Sequence, residues 1–381
     1  MNLPAAPALS GRGVYVHIPF CLVHCPYCDF NAYAGMDDLK APYVEALRRE
    51  IEAAADGEPV DTVAFGGGTP TELAPADLAS ILTTIRESFA VRRNAEISLE
   101  ANPESIDMAA FDALLEAGFT RVSLGVQSLA PHVLAWLGRA HSPEQAVAAL
   151  RDARAAGFAH VNADLMFGTP VETLDDWRSS LTGVIATGVD HVSTYALTVE
   201  ERTPLHTWVQ RGLRDAPDDD DQADRDEVSN DLLPVAGLLR YEVSNWARPG
   251  CWSRHNIGYW TGTDYLGFGA GAHSFRDHRR WWNLRSPRTY AQRSPDVLEG
   301  EETLLPDERS AEAMMLGLRL AGGVIRARFE HRYGADPALR WAPELAQAVD
   351  LGLVRVTEEK VLLTARGVFL WGHVARSLLA A

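Results

Sequence analysis

Val14-Tyr15-Val16-His17-Ile18-Pro19-Phe20-Cys21-Leu22-Val23-His24-Cys25-Pro26-Tyr27-Cys28-Asp29-Phe30 joins a short alternating run, which reads as a β-strand, to three cysteines in C-x3-C-x2-C spacing. Three thiolates this close in sequence can converge on one inorganic centre. A cubane iron-sulfur cluster takes one cysteine per iron, so three ligands leave one iron open to a ligand that is not protein. Zinc is the alternative occupant, with His17 or His24 completing a closed set of four donors. The ends of later strands are then the places to seek residues that bind whatever occupies the open position.

Five further strand-like runs follow, at Thr62–Phe65, Glu96–Glu100, Arg121–Val126, His160–Met166 and His191–Thr198. Helical patterns separate them. Val44, Leu47 and Ile51 share one side of Lys40–Ala55, and Leu78, Ile81, Leu82, Ile85 and Phe89 share one side of Asp77–Phe89. Asp107 is placed to cap a helix that ends at Gly118, Ser142-Pro143-Glu144-Gln145 is a capping box with a first-turn proline, and Thr173 starts a helix running toward Gly188. Strand and helix alternate through six units, which points to parallel strands joined by right-handed crossovers. Polar and glycine residues gather at the C-terminal ends of these strands, where a β/α barrel collects its site. The expected fold is α/β: an open, partial (β/α)6 TIM-like barrel followed by a C-terminal helical, winged-helix-like domain.

The pattern changes after Arg202. Asp215–Glu227 is strongly acidic and reads as an exposed loop entering a helix whose N-terminus tolerates carboxylates, a solvated face. Tyr241–Tyr290 is rich in Trp, Tyr, His, Asn and Gly and reads as an irregular, site-bearing connection. From Asp307 helical spacing returns, and Leu353–Val356 and Val361–Leu363 flank a turn before a last apolar helix. The expected division is a barrel over 1–202, a connecting region over 203–305 and a C-terminal domain over 306–381.

Composition bounds the function. A chain that is 46% hydrophobic and 23% charged is that of an ordinary globular protein. A net charge of -17 argues against nucleic acid as a partner, because phosphate binding needs clustered Lys and Arg. No stretch has the apolar length of a membrane span, and Met1-Asn2-Leu3-Pro4-Ala5-Ala6-Pro7 lacks the features of a secretory signal. Three clustered cysteines and one isolated one do not form a disulfide framework, so a reducing, cytoplasmic setting is expected.

With an aromatic before its last cysteine, the C-x3-C-x2-C segment resembles the signature of the radical S-adenosylmethionine (SAM) superfamily, and Gly66-Gly67-Gly68-Thr69-Pro70 after the second strand adds to the likeness. Leu99–Glu104, Gly125–Ser128, Leu137–His141 and Asp164–Pro170 narrow it. They resemble the branch that contains HemN-type oxygen-independent coproporphyrinogen III dehydrogenases and HemW-type heme chaperones. The resemblance implies a 4Fe-4S cluster on Cys21, Cys25 and Cys28, and SAM lined by Tyr15, Tyr27, Gly67, Gly68, Thr69, Glu100, Gln127, Arg139 and Asp164. Asp29-Phe30 stands where the dehydrogenase pattern has glycine and a fourth cysteine, and the extension before the first strand is short; both features favour the chaperone side. Cys251–Trp260 contains H-N-x-x-Y-W, a motif of the HemW-type proteins, so the resemblance makes His255 the candidate heme ligand, with Cys251 and His273 as competitors. It implies heme transfer to an acceptor protein. An electron donor and peripheral membrane contact stay open as further partners, and an oxidase is the alternative function.

Overall fold

The computed structural model describes residues 10–379, so the Met1–Pro7 segment lies outside the described residues. Six strands run parallel: β1 (Arg12–Ile18), β2 (Pro59–Gly67), β3 (Ala90–Ala101), β4 (Arg121–Gln127), β5 (His160–Phe167) and β6 (His191–Ala196). They are the six runs expected from the sequence. Apolar residues such as Val14, Val63, Leu99, Val122 and Val161 meet the outer helices in one continuous core.

Both edges extend beyond the barrel. At one, β7 (Leu239–Arg240) and β8 (Asn245–Ala247) add antiparallel to β6. At the other, β9 (Tyr265–Phe268) pairs parallel with β1, and β10 (His273–Arg276), β11 (Arg279–Asn283) and β12 (Leu298–Thr303) continue antiparallel. Among the described residues, twelve strands thus form one open sheet in the order β12-β11-β10-β9-β1-β2-β3-β4-β5-β6-β8-β7. The Tyr241–Tyr290 segment, expected to be irregular, carries four of these short strands, β8 to β11, and a helix over Arg254–Trp260, joined by turns.

The caps follow local chemistry. Asp107 accepts from the Ala110 N–H, Ser142 and Thr173 form capping boxes, and Gly118 closes its helix in the left-handed region. The acidic run becomes the helix Asp219–Val235, capped by Asp218, with three carboxylates in its first turn. Its inner face is not solvated: buried Arg225 donates through Nε to Glu172 at 2.9 Å.

A second core, containing Met314, Leu318, Phe329, Trp341 and Val361, belongs to the C-terminal region. There helices alternate with β13 (Val324–Ile325), β14 (Val354–Val356) and β15 (Lys360–Leu363), which form a three-stranded sheet in the order β13-β15-β14, a winged-helix-like arrangement. Arg319 fastens it to the barrel side by pairing with Glu242 at 3.0 Å and lying between the Trp260 and Trp371 rings. No helix of the described residues is long and apolar enough to cross a membrane.

The barrel floor is held by a buried ion pair. Arg121 donates to Glu96 at 3.0 Å, both side chains being 4% exposed, and its Nη2 donates to the carbonyls of Cys251 and Trp252. Glu96 in turn accepts from the His255 N–H at 3.0 Å. Burial alone would raise the Glu96 pKa, but Arg121 and the His255 and Arg254 backbone N–H groups hold it below the ordinary value. Removing one partner strands the other charge in the core. Arg121→Ala is expected to lower the unfolding free energy by about 3–5 kcal/mol. Urea unfolding checks this, and an unchanged midpoint would show that the pair does not stabilise the fold.

Candidate functional site

The cysteine loop leaves the end of β1 and crosses the glycine run that ends β2. The Gly68 N–H donates to the Ile18 carbonyl at 2.8 Å and the Thr69 N–H to the Phe20 carbonyl at 2.7 Å. This approach excludes side chains: a Cβ on Gly68 would sit 2.6 Å from the Phe20 carbonyl oxygen and 3.0 Å from Cys21 Sγ. Gly67 has a φ of 115°, and a Cβ there would meet the His17 ring at 2.5 Å.

All three loop cysteines are free thiols, Cys25 buried and the others half-buried. Cys21 Sγ lies 3.7 Å from Thr69 Oγ1, and Arg139 Nη1 donates to Cys25 Sγ at 3.6 Å. Burial pushes the Cys28 thiol up to about 11 and also raises Cys21, so the thiolates call for a positive centre. Among the described residues, the three sulfurs do not form a tight donor cluster of the kind one zinc ion draws together. His17 has both ring nitrogens engaged, by Tyr15 Oη and the Asn31 carbonyl, each at 3.0 Å, and His24 is exposed in the loop. A cubane, which places each cysteine on its own iron, suits this set better.

Beside the loop, the strand ends converge. Asn102, unassigned from the sequence although its segment drew notice, donates to Thr69 Oγ1 at 2.9 Å and accepts from Arg139 Nη2 at 2.6 Å. It ties together two residues expected to line the SAM site. Arg139 also donates to the Gly125 carbonyl, and its Nε is buried without a partner. Gln127 ends β4 at a register shift with a φ of 63°, a bulge that redirects its side chain. Tyr27 packs with Ala130, Val133 and Leu137 beneath the loop. Its phenol is raised well above its usual pKa by burial and by nearby Cys25.

Two carboxylates face the barrel interior. Glu100 accepts from the Gly67 N–H at 3.3 Å, and Asp164 accepts from Ser123 Oγ at 2.5 Å and Asn162 Nδ2 at 2.8 Å. Surrounding protein, then the Asp164 charge, push Glu100 up to about 7, although water reaches it through the mouth. Burial also raises Asp164 against its hydrogen bonds. Such a pair is stabilised by a cationic ligand.

The heme-ligand candidates lie apart. His255 is at the floor: Nδ1 is 2.8 Å from Thr62 Oγ1, Nε2 is 2.8 Å from Tyr259 Oη, and a Cβ on Gly13 would touch its ring at 3.2 Å. Both nitrogens are engaged, so in this conformation His255 offers no lone pair to a metal. Cys251 lies with His160 and Asp190 near the N-terminal ends of β5 and β6. His273 is exposed on β10 and lines a cavity of about 620 Å³ that also reaches Tyr15, Gly67 and Glu100.

Residues 15–182 match the radical SAM superfamily, and residues 304–370 match the HemN C-terminal domain. The heme chaperone HemW of Mycobacterium tuberculosis is 44% identical, with 100% of this chain and 98% of that protein aligned. HemW of Bacillus subtilis is 33% identical over 95% of this chain and 98% of its own length. The chain belongs to the HemW family of radical SAM proteins. The structure of the Escherichia coli coproporphyrinogen III oxidase HemN is also similar, with a TM-score of 0.83, 27% identity and coverage of 97% of this chain and 90% of that one. Membership of the radical SAM superfamily implies a 4Fe-4S cluster and SAM, and the thiol set, glycine cradle and acidic pair fit both.

A proton on Glu100 competes with a cationic ligand. SAM affinity, measured by anaerobic calorimetry on cluster-loaded protein, is therefore expected to weaken as pH falls through about 7, and Glu100→Gln to flatten the dependence. An unchanged profile in Glu100→Gln would assign the dependence to another group.

Proposed function

We propose that the chain is a heme chaperone that binds heme and passes it to an acceptor protein. Full-length similarity to HemW proteins carries this reading. The aromatic-walled cavity beside the cysteine loop supports it, being large enough for a sizeable cofactor and open at one side. Cys21, Cys25 and Cys28 would hold the cluster, leaving one iron open to SAM. The Gly67–Gly68 backbone and Thr69 cradle the methionyl end, Glu100 and Asp164 face its cationic centres, and Tyr15, Tyr27, Gln127 and Arg139 complete the wall. When bound, the cluster and SAM would supply one-electron chemistry at this loop, and an electron-donor protein would be a further partner. The setting is cytoplasmic.

The functional division follows 1–202, 203–305 and 306–381, a reading supported by the separate C-terminal core. The strands that extend the sheet make the middle region a wall of the cavity as well as a connection.

The likeness to HemN favours a second reading, oxidative decarboxylation of coproporphyrinogen III. One experiment separates the two. Cluster-loaded protein with SAM and reductant is expected to leave coproporphyrinogen III unchanged, while heme-loaded protein transfers heme to an apo-acceptor. Formation of protoporphyrinogen without heme uptake would overturn the chaperone reading.

A further inference from the structure

The cavity has two unlike ends. One is floored by Gly67 and Glu100; the other is walled by the antiparallel extension, where Tyr265, His273 and Trp282 face the same space. His273 and Trp282 are cross-strand partners on β10 and β11, their rings stacked at 5.6 Å and 25°. Trp282 lies against Gly300 of β12, where a Cβ would come within 2.5 Å of the indole, so the glycine makes room for that ring. No described residue hydrogen-bonds the His273 ring. Partial burial and the Arg280 and Arg285 charges lower its pKa below the ordinary histidine value, and with no hydrogen-bond partner on the ring a nitrogen is open toward the cavity. Arg285 also lines the cavity, is exposed, and makes no ion pair among the described residues.

His255 stands in contrast. Its ring is sealed between Thr62 and Tyr259, whereas the Tyr259 ring reaches the cavity. The H-N-x-x-Y-W segment therefore contributes a wall residue, with His255 as the positioning residue behind it.

We propose that the outer end of this cavity is the porphyrin site, that His273 rather than His255 is the axial ligand to the heme iron, and that Arg285 faces a propionate carboxylate. The proposal rests on the heme-chaperone reading. It assigns the ligand to the one candidate with a free imidazole at the cavity wall, where Trp282 and Tyr265 supply apolar surface and Arg285 a guanidinium for a carboxylate.

The test is an anaerobic titration of hemin into the full chain, followed in the Soret band, for wild type, His273→Ala, His255→Gln and Arg285→Ala. His273→Ala should lose the imidazole-ligated spectrum and bind roughly tenfold or more weakly, with free imidazole restoring the spectrum. His255→Gln should keep the wild-type spectrum even where affinity falls through a displaced Tyr259. Arg285→Ala should weaken hemin binding without changing the spectrum, and the difference from wild type should vanish with the dimethyl ester. A His273→Ala protein with wild-type spectrum and affinity overturns the site alone. Loss of imidazole ligation in His255→Gln, with His273→Ala unaffected, also overturns it. Wild type that takes up no hemin overturns the heme reading and the site together. His273 is exposed, so its replacement is expected to leave the thermal midpoint unchanged, which a melting curve checks.

Discussion

The closest constraint in the molecule is the crossing of two backbones: the cysteine loop after β1 lies directly on the glycine run that ends β2. Two main-chain hydrogen bonds, from Gly68 and Thr69 to Ile18 and Phe20, lock them together, and a Cβ on Gly67 or Gly68 would collide with His17 or with the Phe20 carbonyl. Because β1 and β2 are parallel neighbours in register, the crossing fixes the cysteine sulfurs relative to every later strand end. Thr69 meets Asn102, Asn102 meets Arg139, and Arg139 returns to Cys25. The cluster loop and the strand ends thus form one hydrogen-bonded ring of contacts.

The two ends of the barrel are electrostatically different. At the floor, Arg121 and Glu96 neutralise each other and fasten the Cys251–His255 backbone, a charge-balanced arrangement suited to structure. Toward the mouth, Glu100 and Asp164 lack a paired cation among the described residues, and Glu100 is pushed up to about 7. The imbalance lies at the end that opens into the cavity. Histidines follow the same division, with His255 hydrogen-bonded at the floor and His273 open at the cavity.

The barrel was legible because buried parallel strands read as apolar runs and because caps such as Ser142–Gln145 mark helix starts by local chemistry. The sheet extension was not. β9 and β10 each have only four residues, and β11 mixes Arg279 and Arg280 with Trp281 and Trp282, which hides alternation. The β10–β11 turn uses Asp277 and His278, both with positive φ, without the glycine that usually signals such a hairpin. The cysteines and glycines of the site were readable because their spacing is itself the chemistry. Asn102 was not singled out, since a side chain that ties two others together has no spacing signature. The H-N-x-x-Y-W motif singled out the Cys251–Trp260 segment, but sequence could not reveal that Thr62, 193 positions away from His255, would occupy one of its nitrogens.

On the proposed reading, Cys21, Cys25 and Cys28 hold a cluster whose fourth iron is free for SAM. Mössbauer spectroscopy of protein reconstituted anaerobically with 57Fe, with and without SAM, tests it most directly. One iron in four should change its spectral parameters when SAM is added, while the other three stay cysteine-ligated. Four irons indifferent to SAM, or a protein that incorporates no cluster, would contradict it.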